Sequence, residues 1–164
     1  MMLQNEYESP LGRILLTGDE EGLTGLCFAD TGGVTDHCKA ACFARAVEWL
    51  EIYFSGRNPG PIPKIRWNGS PFCCRVWEIL CEIPYGKTAT YGQIAGRIAA
   101  ERGTGKMSAQ AVGQAVGRNP ISILVPCHRV IGANGSLTGY AGGILRKKTL
   151  LEMEGVDCSC FTLQ

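Results

Sequence analysis

The chain has 164 residues, 16 Lys and Arg against 15 Asp and Glu, and 45% hydrophobic residues, an ordinary globular composition that can bury a core as one compact unit or two small domains. No apolar run approaches membrane-spanning length. The start, Met1-Met2-Leu3-Gln4-Asn5-Glu6, lacks the basic and apolar regions of an export signal, so no membrane partner and a cytoplasmic location (nuclear in a eukaryote) are expected. The net charge of +1 hides an asymmetry: residues 1–82 carry 7 Lys/Arg against 11 Asp/Glu, and residues 83–164 carry 9 against 4. A polyanion would therefore meet the C-terminal half.

Three short β-forming runs come first, Leu3 to Tyr7, Gly12 to Thr17 and Leu23 to Phe28. The turn signals Ser9-Pro10-Leu11-Gly12 and Gly18 to Gly22 between them predict an antiparallel meander. From about Lys39 to Phe54, apolar residues at 43, 46, 47, 50, 53 and 54 recur at helical spacing. Residues 56–70 hold three prolines among their glycines and read as a connection, which divides the chain into a domain over 1–69 and another over 70–164. Ser70 is placed to cap a helix with Pro71 at its first position and Phe72, Val76, Ile79 and Leu80, with Trp77, on the buried stripe. Thr90-Tyr91-Gly92-Gln93 matches a capping box and opens a helix to about Ala100. After a polar loop, Ser108 caps a short helix to about Val116, and a final helix runs from Ile144 to Glu154.

Nine cysteines cannot all pair within one chain, and without an export signal they read as free thiols. His37 and His128 are the only histidines, and there is no Cys-x-x-Cys. His37 with Cys38 could join a metal site, but a solvated loop histidine is the ordinary reading, so no metal and no cofactor are expected.

Cys127 lies in Leu124-Val125-Pro126-Cys127-His128-Arg129-Val130, a thiol followed directly by an imidazole after a proline. A thiolate is the nucleophile, and an adjacent base makes it available at neutral pH. Burial as an inert cysteine is the alternative. The helices at 91–100 and 108–116 fit a helix-turn-helix, yet the second is dominated by Ala and Gly where a major-groove reader carries long polar side chains. So small a face suits close approach, either to another helix of the protein or to a DNA minor groove.

The Pro-Cys-His-Arg-Val block resembles the active-site block of the O6-alkylguanine-DNA alkyltransferases. It is preceded by Asn119-Pro120-Ile121 and followed by Gly135-Ser136-Leu137-Thr138-Gly139-Tyr140-Ala141-Gly142-Gly143. Ile83-Pro84-Tyr85-Gly86 with Thr90 to Ala95 matches a second block of that family, and the strong resemblance covers residues 70–155. It implies an RNase H-like α/β N-terminal domain, a small antiparallel sheet plus helix, followed by an all-α helix-turn-helix, winged-helix-like C-terminal domain. It also implies a monomer that acts on double-stranded DNA containing O6-alkylguanine, and by extension O4-alkylthymine. The alkyl group moves irreversibly to the cysteine, once per molecule, after the nucleotide is flipped out from the minor groove.

Carried over by position, Cys127 is the acceptor, His128 its base through a water, Glu154 the orienting carboxylate, Tyr91 the proton donor to the leaving base and Asn119 the residue that holds the turn. Val116, Leu137, Tyr140 and Gly142 are implied at the lesion, and Ser108, Ala109, Gln110, Ala111, Gly113 and Arg118 at the DNA. Gln110 stands where well-known members place an arginine, so it lacks that planar charge. A non-enzymatic lesion-binding relative is the alternative; in such proteins the acceptor cysteine is replaced.

Overall fold

Ser9-Pro10-Leu11-Gly12 makes the first turn of the meander, with the Ser9 hydroxyl donating to the Gly12 carbonyl at 2.6 Å and accepting from the Leu11 N–H at 3.1 Å. In this computed structural model, which describes residues 2–34, 38 and 40–163, the turn joins β1 (Leu3–Ser9) to β2 (Gly12–Asp19), and a second turn leads to β3 (Gly22–Phe28). The three strands pair antiparallel in the order β1-β2-β3, with Tyr7 opposite Ile14 and Leu16 opposite Leu26. Ile14, Leu16 and Gly18 alternate along β2 and all point inward, the period-two pattern of a half-buried strand. Helix α1 (Ala41–Phe54) covers the sheet with Phe43, Ala46, Trp49, Leu50 and Tyr53 buried. Val47 and Phe54, expected in that stripe, are half-buried, and Trp49 joins it. The Trp49 indole N–H donates to the Gly60 carbonyl at 3.2 Å and so ties down the Pro/Gly-rich stretch. Lys39, where the helix was expected to open, and His37 lie outside the described residues.

The chain forms two compact units, one of residues up to Asn68 together with Pro120–Leu124, the other of Gly69–Asn119 and Val125 onward. A contiguous cut at 69/70 leaves out this excursion of five residues. Within the first unit, Leu26 N–H donates to the Pro120 carbonyl at 2.9 Å and Ser122 N–H to the Leu26 carbonyl at 2.8 Å, a parallel bridge beside β3. Ile123 then takes φ = 71° while Leu124 N–H donates to the Ser122 carbonyl at 2.8 Å. This is a γ-turn with a β-branched residue at its centre, a strained conformation. Ile121 and Ile123 are both fully buried in this turn.

In the second unit, the Ser70 hydroxyl accepts the Cys73 N–H at 3.2 Å and caps α2 (Pro71–Cys81). Cys73, Val76, Trp77 and Leu80 form its buried stripe at the spacing i, i+3, i+4, i+7, joined by Ile79. Phe72, expected there, sits one step off that face and is half-buried, with the Arg102 guanidinium 5.2 Å from its ring centroid. The capping box of Thr90 and Gln93 opens α3 (Tyr91–Arg102), which ends at Gly103 in the left-handed conformation (φ = 66°). Ser108 caps α4 (Ala109–Gly117), and the buried Trp77 indole N–H donates to the Ala115 carbonyl at 2.9 Å, which fixes α4 against α2. The last helix, α5 (Ile144–Met153), stops one residue before Glu154.

The unit expected to be all-helical also contains two parallel pairs of two-residue strands, β4 (Ala89–Thr90) with β5 (Val130–Ile131) and β6 (Ser136–Leu137) with β7 (Thr162–Leu163). Strands this short carry no periodicity to read, so only long-range pairing reveals them. Among the described residues, no helix is long and apolar enough to cross a membrane.

Candidate active site

Pro126, with φ = −81° and ψ = 62°, forces a tight turn in which Cys127 N–H donates to the Val125 carbonyl at 2.8 Å. A single 3₁₀ turn, Cys127–Arg129, follows directly. The Asn119 side-chain amide donates to the same Val125 carbonyl at 2.9 Å and so clamps the turn from the end of α4. Cys127 and His128 are both buried, His128 completely.

Glu154 reaches this turn from the end of α5. Its Oε2 lies 2.5 Å from His128 Nε2, and its Oε1 accepts from Arg129 Nε at 2.8 Å and from the Gly86 N–H at 3.0 Å. Burial by itself would raise the Glu154 pKa, but the hydrogen bond from His128 and the hydrogen bond and charge of Arg129 hold it down, to about 2 where the imidazole is also charged. Burial pushes the His128 pKa below the usual imidazole value, against the pull of Glu154. An ionised carboxylate beside a neutral imidazole requires Nε2 to carry the hydrogen and donate it, which leaves Nδ1 as the basic nitrogen.

Burial also pushes the Cys127 thiol above its ordinary value, opposed by a hydrogen bond from Asn119, by the charge of Lys147 and by backbone N–H groups of the turn. The resting sulfur is therefore a protonated thiol, and its use as a nucleophile requires a base. Lys147 is almost fully buried, its Nζ donates to the Thr138 carbonyl at 2.9 Å, and desolvation pulls its pKa down to about 8 against the pull of Cys127.

Tyr91, at the start of α3, donates to that same Thr138 carbonyl at 3.3 Å. Burial, and secondarily the charge Cys127 would carry, raises its pKa, so the phenol keeps its proton. Tyr140 is buried with its ring edge-on to the His128 ring at 6.5 Å between centroids. Gly139 adopts φ = 74°, and a β-carbon there would lie 3.5 Å from the Tyr91 hydroxyl. Gly142 is half-buried, and its carbonyl accepts from Arg146 at 3.3 Å. Val116 is buried on α4, and Leu137 is fully buried in a cluster with Ile131, Leu151 and Cys158.

A family profile described as the DNA-binding domain of 6-O-methylguanine DNA methyltransferase matches residues 71–156, and one described as the ribonuclease-like domain of the same family matches residues 2–60. The methylated-DNA–protein-cysteine methyltransferase of Methanosarcina acetivorans is 49% identical over 154 residues, covering 91% of this chain and 96% of that protein. The chain belongs to the 6-O-methylguanine DNA methyltransferase family. Its relative of the same name from Mycolicibacterium paratuberculosis is 46% identical, with 94% and 93% covered. The crystal structure of Mycobacterium tuberculosis OGT in complex with DNA superposes with a TM-score of 0.80 at 44% identity, covering 92% of this chain and 91% of that one. Membership bears out the expected architecture, a ribonuclease-like domain followed by a helical DNA-binding one.

The other expected residues fall on one helix. Ser108, Ala109, Gln110 and Arg118 are exposed at the two ends and outer face of α4, with Ala111 and Gly113 half-buried. Gly113 faces Tyr91: a β-carbon added there would meet that ring at 3.8 Å. Sequence reading missed Lys147, Arg129 and the Gly86 N–H. Arg146-Lys147-Lys148 reads as a solvated basic run, and nothing in it marks the middle lysine as the buried one. Arg129 lies inside the recognised block, but adjacency does not disclose its partner 25 residues away. Among the described residues, no group of three or more His, Cys, Asp and Glu side chains is arranged to hold a metal.

Proposed function

We propose that this protein repairs DNA by direct reversal, moving the alkyl group of O6-alkylguanine onto Cys127. The observation that carries the reading is a buried thiol, a neutral imidazole paired with an ionised carboxylate, and a protonated phenol assembled in one unit of a chain that belongs to this family. The chemistry follows from those protonation states. His128 Nδ1 takes the thiol proton through a water, and Glu154 stabilises the imidazolium. The sulfur attacks the alkyl carbon, the carbon–O6 bond breaks with its electron pair on the base, and Tyr91 supplies a proton so that neutral guanine leaves. The imidazolium proton restores the phenol, so the net change is thiol plus alkylguanine to thioether plus guanine. Lys147 stabilises the thiolate while it exists. A thioether has no proton to lose and no route back, so each molecule acts once.

The 1–69 region serves as the ribonuclease-like domain with its linker, and 70–164 as the DNA-binding and alkyl-acceptor domain. A base in a duplex is out of reach of a buried sulfur, so the nucleotide is flipped out. The small face of α4, from Ser108 to Gly113, enters the minor groove, Gln110 fills the vacated stack and Arg118 meets a phosphate. Val116, Tyr140 and Gly142 bound the lesion, and Leu137 braces that loop from the core. O4-alkylthymine is a second substrate, the protein works as a monomer without a cofactor, and its location is cytoplasmic. A non-enzymatic lesion binder is not favoured, because the acceptor cysteine is present.

Intact mass after incubation with an O6-methylguanine duplex tests the reading. One added methyl on Cys127, with guanine restored and a stoichiometry near one, is expected, while Cys127→Ala binds the duplex and gains no mass. An unmodified Cys127 after full incubation sinks the proposal.

A further inference from the structure

Arg129 is an arginine with only 7% of its surface exposed. Its guanidinium is held on three sides: Nε donates to Glu154 Oε1 at 2.8 Å, Nη1 donates to the Ile83 carbonyl at 2.7 Å, and the plane lies 5.8 Å from the Tyr85 ring centroid. None of these three contacts is with Cys127, so packing alone would be the ordinary account. The shape of the Glu154 contacts says more. Oε1 accepts from both Arg129 and the Gly86 N–H, and Oε2 meets His128.

We propose that Arg129 is a positioning residue of the transfer reaction: it grips one oxygen of Glu154 to aim the other at His128, and it shares the carboxylate charge so that the imidazole stays neutral and able to accept the thiol proton. This rests on the alkyl-transfer reading above. A carboxylate 2.5 Å from a buried imidazole, with no other cation on it, draws a proton onto the ring and makes imidazolium, which is a spent base. A guanidinium cannot lose its proton, so its claim on the carboxylate is permanent.

The groups facing His128 divide cleanly. Glu154 after α5, and the Cys127 thiolate once formed, favour imidazolium. Arg129 in the same 3₁₀ turn and Lys147 on α5 oppose it, and their charges, after burial, help to lower the His128 pKa. Tyr140, from the loop before α5, is an uncharged neighbour. Around Arg129 itself stand Tyr85, Glu154 and, from α2, Cys81. A lysine could supply the charge but not the two-pronged grip that joins Glu154 to the Ile83 carbonyl.

The test follows the His128 imidazole by NMR in unreacted protein. With two histidines in the chain, a His37→Gln background leaves one signal to titrate. In Arg129→Met the His128 midpoint is expected to rise by about one pH unit, and the acid limb of the transfer rate to move to higher pH with it. Arg129→Lys is expected to bring the midpoint back toward wild type yet leave transfer at neutral pH roughly ten-fold slow. A residue that only packs would lower the yield of folded protein and leave the midpoint where it was, so an unmoved or lowered midpoint in folded Arg129→Met overturns the proposal. If that variant does not fold by near-UV circular dichroism, Arg129→Lys decides, and a wild-type transfer rate overturns it. Failure of the alkyl-transfer reading looks different: wild-type protein then gains no methyl, while His128 still responds to Arg129→Met.

Discussion

Glu154→Gln keeps the shape of the side chain and removes its charge, and its effect on stability can be worked from the structure. The carboxyl titrates at about 2 in the fold against a reference of 4.5. At about 1.4 kcal/mol per pH unit the whole difference corresponds to about 3.5 kcal/mol, and because His128 is neutral at pH 7 only part of it, on the order of 2 kcal/mol, is present there. A single neutral oxygen can accept from Gly86 or Arg129 but cannot balance the buried guanidinium, which adds to the loss. With a urea slope of about 2 kcal/mol per molar, the unfolding midpoint of the variant at pH 7 falls by roughly 1 M. Because the folded value is depressed, this stabilisation is fully present above about pH 4.5 and disappears as pH falls toward 2. Urea titrations of both proteins at pH 7 and across the acid range measure the gap. A loss below about 1 kcal/mol at pH 7, or a gap that persists undiminished at the acid end, would refute the assignment of Glu154 as an ionised, fully partnered carboxylate.

Lys147→Met removes the ammonium that opposes the raised thiol pKa, and single-turnover transfer at pH 7 is expected to slow roughly ten-fold. Since Lys147 itself titrates at about 8, wild type loses the same charge above that pH and the ratio of the two rates should shrink there; a constant or widening ratio contradicts the role. Gly139→Ala forces an L side chain into φ = 74° and sets a methyl 3.5 Å from the Tyr91 hydroxyl. The backbone cost of about 1–2 kcal/mol should lower the melting temperature by several degrees (~2–4 °C per kcal/mol) and slow transfer more than it weakens binding to undamaged duplex.

Much of this molecule was legible in one dimension because its signals are local. The capping box of Thr90 and Gln93, the Ser70 cap before Pro71 and the alternation along β2 depend on neighbours within a few residues, and the observed elements follow them. Cys127, His128 and Asn119 lie close together in the chain, and the family resemblance supplied Tyr91 and Glu154. What remained hidden is long-range. Whether Lys147 or its basic neighbours turn inward is decided by how α5 packs. The partner of Arg129, and the route of Pro120–Leu124 to the edge of β3, are contacts between distant segments. Nothing about Ile123 as a residue type suits it to φ = 71°; a β-branched side chain holds such a conformation only where its surroundings fix it, and this one is completely buried. Local propensity and the order of chemical groups along the chain thus determined the elements and singled out the candidate nucleophile, and packing between remote parts decided which charges share a carboxylate, and hence which groups hold protons.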